Sequence, residues 1–296
     1  SQRAAFLATL LLALSPFHLR YAQEVRMYAL LTLTTAAAFY FLLRVLFDER
    51  ARQQRWPWVG LALAQAAVML THNTATIFFP LALNVAIGGA RLWQRWQGRA
   101  FDLPNLNATN FRRRWLCTQG LALIGWLPWS IPFVIQAALV DREFWIGPPT
   151  VTSVYEALHN FNLAFLPAWS PPVMLLNLMW WLLAGFGVRA LRQTPGRAVL
   201  LLVLFCLPIA GELLVSVRRP IFSDRTLIWV TLPYLMLVAA GLETGFLAKT
   251  RFLSLPSDLF TLPKQVAVYP KVIGIIGLLF MLGLHALALH TYYSKF

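Results

Sequence analysis

The feature that most limits this chain is its run of long apolar segments separated by short polar ones. A helix needs about 20 apolar residues to cross the hydrocarbon of a bilayer. Nine segments approach that length, at about 4–18, 27–47, 57–71, 76–93, 115–140, 172–189, 198–216, 226–246 and 271–290. Hydrophobic residues make up 59% of the chain and charged residues 12%, about half the share of a soluble domain. Lipid offers the backbone no hydrogen-bond partners, so apolar runs of this length become helices. The expectation is an all-α, polytopic transmembrane bundle of about nine spans, with residues 1–296 forming one transmembrane domain.

The net charge of +14 points to a membrane rather than to nucleic acid, because the basic residues lie in the short loops and form no separate soluble face. Of the 25 Lys and Arg residues, 18 fall in the segments 1–3, 44–56, 91–114, 189–197 and 247–271. The excess of cations marks the cytoplasmic side. Segments 18–26, 72–75, 141–171, 217–225 and 291–296 then face outward. This predicts a multi-pass protein of the cell's inner membrane, active outside the cytoplasm. Cys117 and Cys206 lie within apolar segments and support neither a disulfide nor a zinc site.

Polar chemistry gathers on the outer side. YAQEVRMY, residues 21–28, carries Glu24 and Arg26 between Tyr21 and Tyr28. If Glu24 precedes the first turn of the second span, both charges face one pocket lined by the two tyrosines, and free helix N–H groups favour an anion there. The alternative is an ion pair within the loop. SVRRPIFSDRT holds Arg218, Arg219 and Arg225, against the inside bias of cations, and a phosphate would satisfy several of them at once. Glu212 lies about 9 Å deeper than Arg218 by helical rise, and either lines a cavity or pairs with a neighbouring helix. His18, and His72 and Asn73 of THNTA, sit at outer ends as substrate contacts or as hydrogen-bonded structural residues. Trp145 in DREFWIGPP is the aromatic best placed to meet a sugar. PPTVTSVYEALHNF, residues 148–161, reads as the start of a helix lying flat on the outer membrane surface. Ser153 and Glu156 have capping-box spacing there, and Val154, Tyr155, Leu158 and Phe161 form an apolar stripe.

Four of these stretches, LSPFHLRYAQEVRMYAL, THNTA, LPWSIPFVIQ followed by FW, and RRPIFSDRTLIWVTLPYLMLVAAGL, together resemble bacterial membrane glycosyltransferases related to protein O-mannosyltransferases. The resemblance implies the GT-C fold and transfer of a hexose or pentose from a polyprenyl-phosphate donor to a glycan, lipid or protein acceptor. It implies that Arg26 and Arg225, with Arg218 and Arg219, hold the donor phosphate. Glu24 matches an auxiliary acidic position that orients the acceptor or a divalent cation. Tyr21, Tyr28, His72, Asn73, Trp145 and Glu212 are the expected substrate contacts. The family's catalytic carboxylate lies in a large outer loop after a first span, and neither has a counterpart here. The resemblance therefore implies that about the first quarter of such an enzyme precedes residue 1. A second departure is Thr226, where the family follows its arginine with tyrosine. The competing reading from the residues alone is a transporter or flippase for an anionic or lipid-linked solute, a class marked by paired repeats and interrupted helices, neither of which the sequence shows, its charges gathering at the outer surface instead.

Overall fold

A computed structural model describes residues 1–97, 102–143, 147–245 and 269–294. Among these the regular structure is entirely helical: α1 (Gln2–Ala13), α2 (Pro16–Gln23), α3 (Tyr28–Phe47), α4 (Trp56–Thr71), α5 (Asn73–Gln97), α6 (Phe111–Trp126), α7 (Ser130–Glu143), α8 (Val151–Leu163), α9 (Pro171–Ala190), α10 (Pro195–Ser216), α11 (Thr231–Gly245) and α12 (Tyr269–Tyr293). All nine apolar segments fall largely on helix. Five stretches are long and apolar enough to cross a membrane: Tyr28–Phe47, Asn73–Trp96, Phe111–Ala138, Pro171–Gln193 and Pro195–Ser216. The apolar parts of α4, α11 and α12 are shorter.

The segment 4–18 is not one straight helix. It breaks between α1 and α2, which are bent by 51°. Pro16 has no N–H for the preceding turn, and the residue before a proline is disfavoured in helical geometry. Ser15 instead begins α2, its Oγ accepting the His18 N–H (3.5 Å). The helix expected from residues 148–161 is α8, but its capping pair starts three residues earlier than the sequence spacing suggests. Ser153 donates its N–H to Thr150 Oγ1 (3.2 Å), and Thr150 donates its N–H to Ser153 Oγ (2.7 Å). A reciprocal hydroxyl pair thus stands in for the Ser153–Glu156 pair.

Packing divides the chain into two compact units, one of residues 1–20, 159–193 and 234–296, the other of 21–158 and 194–233. In the first, His159, Asn162, Asn177 and Tyr234 form a buried chain of hydrogen bonds. Tyr234 donates to Asn162 Oδ1 (2.7 Å), Asn162 to Asn177 Oδ1 (3.2 Å), and Asn177 to His159 Nδ1 (2.9 Å). The chain ends where His159 Nε2 meets the Leu166 carbonyl (3.1 Å). Interhelical amide and hydroxyl bonds of this kind hold helices together where lipid removes the hydrophobic drive. In the same unit α9 and α11 touch backbone to backbone. A Cβ at Gly187 would run into the Leu237 carbonyl, and one at Gly241 into that of Leu183.

In the second unit α3 packs on α4, α4 on α5 and α6, and α10 on α5. Rings fill the centre, with Phe79 stacked on Phe39 (6.0 Å) and edge-on to Trp229 (5.3 Å). Gly211 of α10 lies against the Phe78 ring of α5, so the ring packs directly on the α10 backbone. Polar groups of α4, α5 and α6 answer one another. Gln65 and Gln119 exchange amide hydrogen bonds (3.0 and 3.1 Å), and Asn84 links Gln119 (2.9 Å) to the Trp115 indole N–H (2.9 Å). Buried Asn105 donates to the Val45 and Asp48 carbonyls, closing the C-terminus of α3.

The glycine contact between α9 and α11 is testable. Gly187→Ala and Gly241→Ala each force the two backbones apart, and each should cost about 1–3 kcal/mol, the range for overpacking. Gly185→Ala is the control, since a Cβ there meets nothing within 4 Å. Thermal unfolding in detergent should show a lower midpoint for the first two variants only; equal midpoints for all three would remove the close contact.

Candidate functional site

The outer-side residues picked out in the sequence converge in part at the N-terminal end of α5, all within the second unit. α4 ends at Thr71 and α5 starts at Asn73, so His72 is held between two helix ends, extended and 9% exposed. Its Nδ1 accepts the Thr74 backbone N–H (3.3 Å) and lies 3.0 Å from the Thr74 hydroxyl. With Nδ1 as acceptor, the hydrogen of the neutral ring sits on Nε2, free to donate. The Tyr28 ring lies beside it (6.0 Å between centroids), and Tyr21 packs edge-on to Tyr28 (4.8 Å). Both tyrosines are buried, so they form a wall of this corner.

Burial, and then the charge of nearby Arg225, push the His72 imidazole down to about 4. At pH 7 about one ring in a thousand is protonated, so His72 acts as a neutral donor and not as a cation. The Arg225 charge acts on the same ring, and its corner meets THNTA where Thr226 and Thr74 both hydrogen-bond to Glu212. That corner is shaped by Ser216, whose buried hydroxyl accepts the N–H groups of Ile221 (3.0 Å) and Phe222 (2.9 Å). Asp224 Oδ1 accepts the Arg225 backbone N–H (2.7 Å), fixing the turn that presents the arginine.

Glu212, 1% exposed in the last turns of α10, is answered by hydroxyls. Thr226 Oγ1 lies 2.7 Å from its Oε2, and the Thr74 hydroxyl and Ser223 backbone also hydrogen-bond to it. It is thus tied to neighbouring segments. The THNTA and arginine segments also share α7 as a support. Asn73 donates to Gln136 Oε1 (3.0 Å), and Arg219 donates to the Ala137 carbonyl (2.7 Å). Arg219 is thereby partly spent on backbone, while Arg218 is exposed.

Glu24 and Arg26 both lie ahead of α3. α3 begins at Tyr28 with Met27 as its cap, so Glu24 precedes the helix by a non-helical stretch and does not cap its first turn. The two charges face each other, Arg26 Nε to Glu24 Oε2 at 3.9 Å, with the Arg26 side chain 55% exposed. The peptide bends between them, as the Arg26 N–H donates to the Glu24 carbonyl (2.7 Å), and this chain reversal turns both side chains to one side. A pair this exposed contributes about 0–1 kcal/mol. Trp145 lies outside the described residues.

Thr74, Thr226, Ser216 and Gln136 hold the site together and carry no signal of their own in the sequence. Thr74 and Thr226 sit next to residues that do, inside THNTA and after Arg225, and only a buried carboxyl needing hydroxyl donors singles them out. Among the described residues, no three His, Cys, Asp or Glu side chains converge as they would around a metal ion. What the corner offers is a guanidinium, a neutral imidazole N–H and a tyrosine wall, suited to an anion carrying a polar group.

His72 predicts acid sensitivity. An unfolded histidine takes a proton near 6.5 and the buried one only near 4, so stability due to the neutral ring is complete above 6.5 and lost as pH falls towards 4. The span corresponds to roughly 3 kcal/mol. The groups facing the ring are Tyr28, Thr74 and Arg225. Melting midpoints between pH 7 and 4.5 should fall more steeply for the native protein than for His72→Gln; parallel curves would count against a buried neutral ring. Comparison of the chain with known protein families, with curated proteins and with solved structures finds no match.

Proposed function

We propose that the chain is the membrane bundle of an inverting glycosyltransferase of the GT-C type, with about nine spans, that moves a sugar from a polyprenyl-phosphate donor on the non-cytoplasmic side of the inner membrane. The observation that carries this reading is Arg225 beside the neutral His72, backed by tyrosines and braced through Asp224. An acceptor hydroxyl attacks the anomeric carbon of the sugar, and the bond to the lipid phosphate breaks with both electrons passing to the phosphate oxygen. A fixed cation at that oxygen stabilises the charge as it develops. Arg225 fills this role, with Arg218 and Arg26 supplying further positive field. His72 Nε2–H and Asn73 bind sugar or phosphate oxygens, and Glu24 orients the acceptor. The hydroxyl proton passes to a carboxylate base, as the family resemblance implies. The donor's prenyl tail runs along the apolar surfaces of the spans.

The second reading, a transporter or flippase for an anionic lipid-linked solute, draws support from the break between α1 and α2 and from the buried Glu212, since interrupted helices and intramembrane carboxyls belong to that class too. Transfer of labelled sugar to an acceptor, against movement of labelled donor across proteoliposomes, separates the two.

Arg225 decides the enzyme reading most directly. If it grips phosphate with two N–H groups, Arg225→Lys keeps the charge but loses the fork, and Arg225→Ala loses both. Donor affinity should fall by about tenfold to a few hundredfold in Arg225→Ala, matching roughly 1.5–3 kcal/mol for a charge-assisted bond, and by less in Arg225→Lys. Polyprenyl-phosphosugar binding and thermal stability measured on the same variants give the answer: a lower melting midpoint with unchanged donor affinity would make Arg225 a structural residue.

A further inference from the structure

The opposite end of α5 carries a second concentration of positive charge. Arg91 lies 18 residues beyond Asn73, or about 27 Å along a helix, close to the thickness of a bilayer's hydrocarbon. There Gly88, Arg91, Leu92 and Arg95 of α5 and Arg112 of α6 line an open groove of about 380 Å³, at the low end of ligand sites. Arg91 is held in place, donating to the Leu106 carbonyl (2.8 Å) with its guanidinium over the Phe111 ring (4.9 Å). Arg95 and Arg112 are exposed, and among the described residues neither has a salt-bridge partner. The three guanidinium groups are close enough for Arg91 to feel the charge of both others. No acidic residue is among those that line the groove.

Ordinary helix electrostatics accounts for only part of this. Arg91 and Arg95 sit near the C-terminus of α5, where cations are favoured. Arg112 sits in the first turn of α6, the positive end of its helix, where no acidic residue balances it. An anion between the two helices removes the conflict. The surface leading to the groove is apolar: Ile77, Leu81 and Val85 are exposed on α5 at four-residue spacing, and Gly88, Leu92 and Arg95 continue the same stripe. Gly88 leaves the groove floor open, since a Cβ there would meet nothing within 4 Å. Exposed Trp93 and Trp96 flank it, as indoles do at the level of lipid headgroups.

We propose that this groove binds an anionic phospholipid, its phosphodiester held among Arg91, Arg95 and Arg112 and its acyl chains lying along the Ile77–Leu81–Val85 stripe. The head is recognised by forked guanidinium donors, and the tail by a length of exposed apolar helix that a free anion would not use. The site stands apart from the one at the N-terminal end of α5 and is independent of the reaction proposed there.

The test is native mass spectrometry of the whole protein released from nanodiscs containing equal amounts of phosphatidylglycerol and phosphatidylcholine. The native protein should retain phosphatidylglycerol over phosphatidylcholine by about tenfold or more, the contribution of one or two charge-assisted contacts. Arg95→Gln/Arg112→Gln should bring the ratio near one, whereas Arg113→Gln, which removes the same charge from the same turn outside the groove lining, should leave it unchanged. If the double glutamine variant is poorly folded, Arg95→Lys/Arg112→Lys replaces it, and an intermediate ratio is expected. Equal retention of both lipids by the native protein overturns the proposal, as does a preference that survives the double variant. So does a melting midpoint that millimolar inorganic phosphate raises as much as phosphatidylglycerol does, because the groove would then take a free anion.

Discussion

A carboxyl group buried in an apolar helix has to be given partners, and in the second unit that requirement organises what surrounds it. Glu212 is tied to Thr226 beyond the end of α10 and to Thr74 in the first turn of α5. The hydroxyl that answers Glu212 from one side belongs to the turn carrying Arg225, and the one from the other side lies next to His72 and Asn73. Gly211 allows this, because with no side chain there the Phe78 ring of α5 packs directly on the α10 backbone. A long flexible loop between α10 and the next helix would leave Arg225 loose. Here Ser216, Asp224 and Glu212 together fix the backbone of residues 216–226.

The same economy appears deeper in the unit. Gln65, Gln119, Asn84 and the Trp115 indole satisfy one another across α4, α5 and α6. Asp102 accepts the Gly196 N–H (2.7 Å) and pairs with Arg197 (3.0 Å) at the start of α10, placing an anion at the positive end of that helix. In a hydrocarbon setting each of these groups would cost several kcal/mol if left alone. Paired, they set the register of α10 against its neighbours at one end while Glu212 does so at the other. Contacts of this kind make the helices a rigid scaffold that presents short loops.

Much of the fold was legible from composition and run length. Apolar runs near 20 residues can satisfy their backbone only as helices, so their position and type followed directly from YALLTLTTAAAFYFLLRVLF and from the stretches on α5, α9 and α10. The break between α1 and α2 was also written in the chain, as Pro16, but hydropathy averaged over a window hides it. Less was legible at the site. His72 and Arg225 stood out as polar residues at helix ends, yet their shared space depends on how α4, α5 and α10 pack. Run length does not tell whether residues 24–27 turn or begin a helix; the peptide bends between Glu24 and Arg26, and their charges pair.

Taken alone, the sequence determined that this chain is helical and apolar enough to cross a membrane, and where its charges lie along the chain. Those properties depend on local energetics, on transfer of side chains to lipid and on hydrogen bonds within a helix, both of which are summed over neighbouring residues. Tertiary structure decided which distant residues meet. Thr74 and Thr226, 152 positions apart, gather on one carboxyl, and Arg112 turns towards Arg91 and Arg95 across two helices. No local rule reports such meetings, because they are set by the packing of whole helices, where a missing side chain at Gly211 or Gly187 governs how closely two backbones can approach.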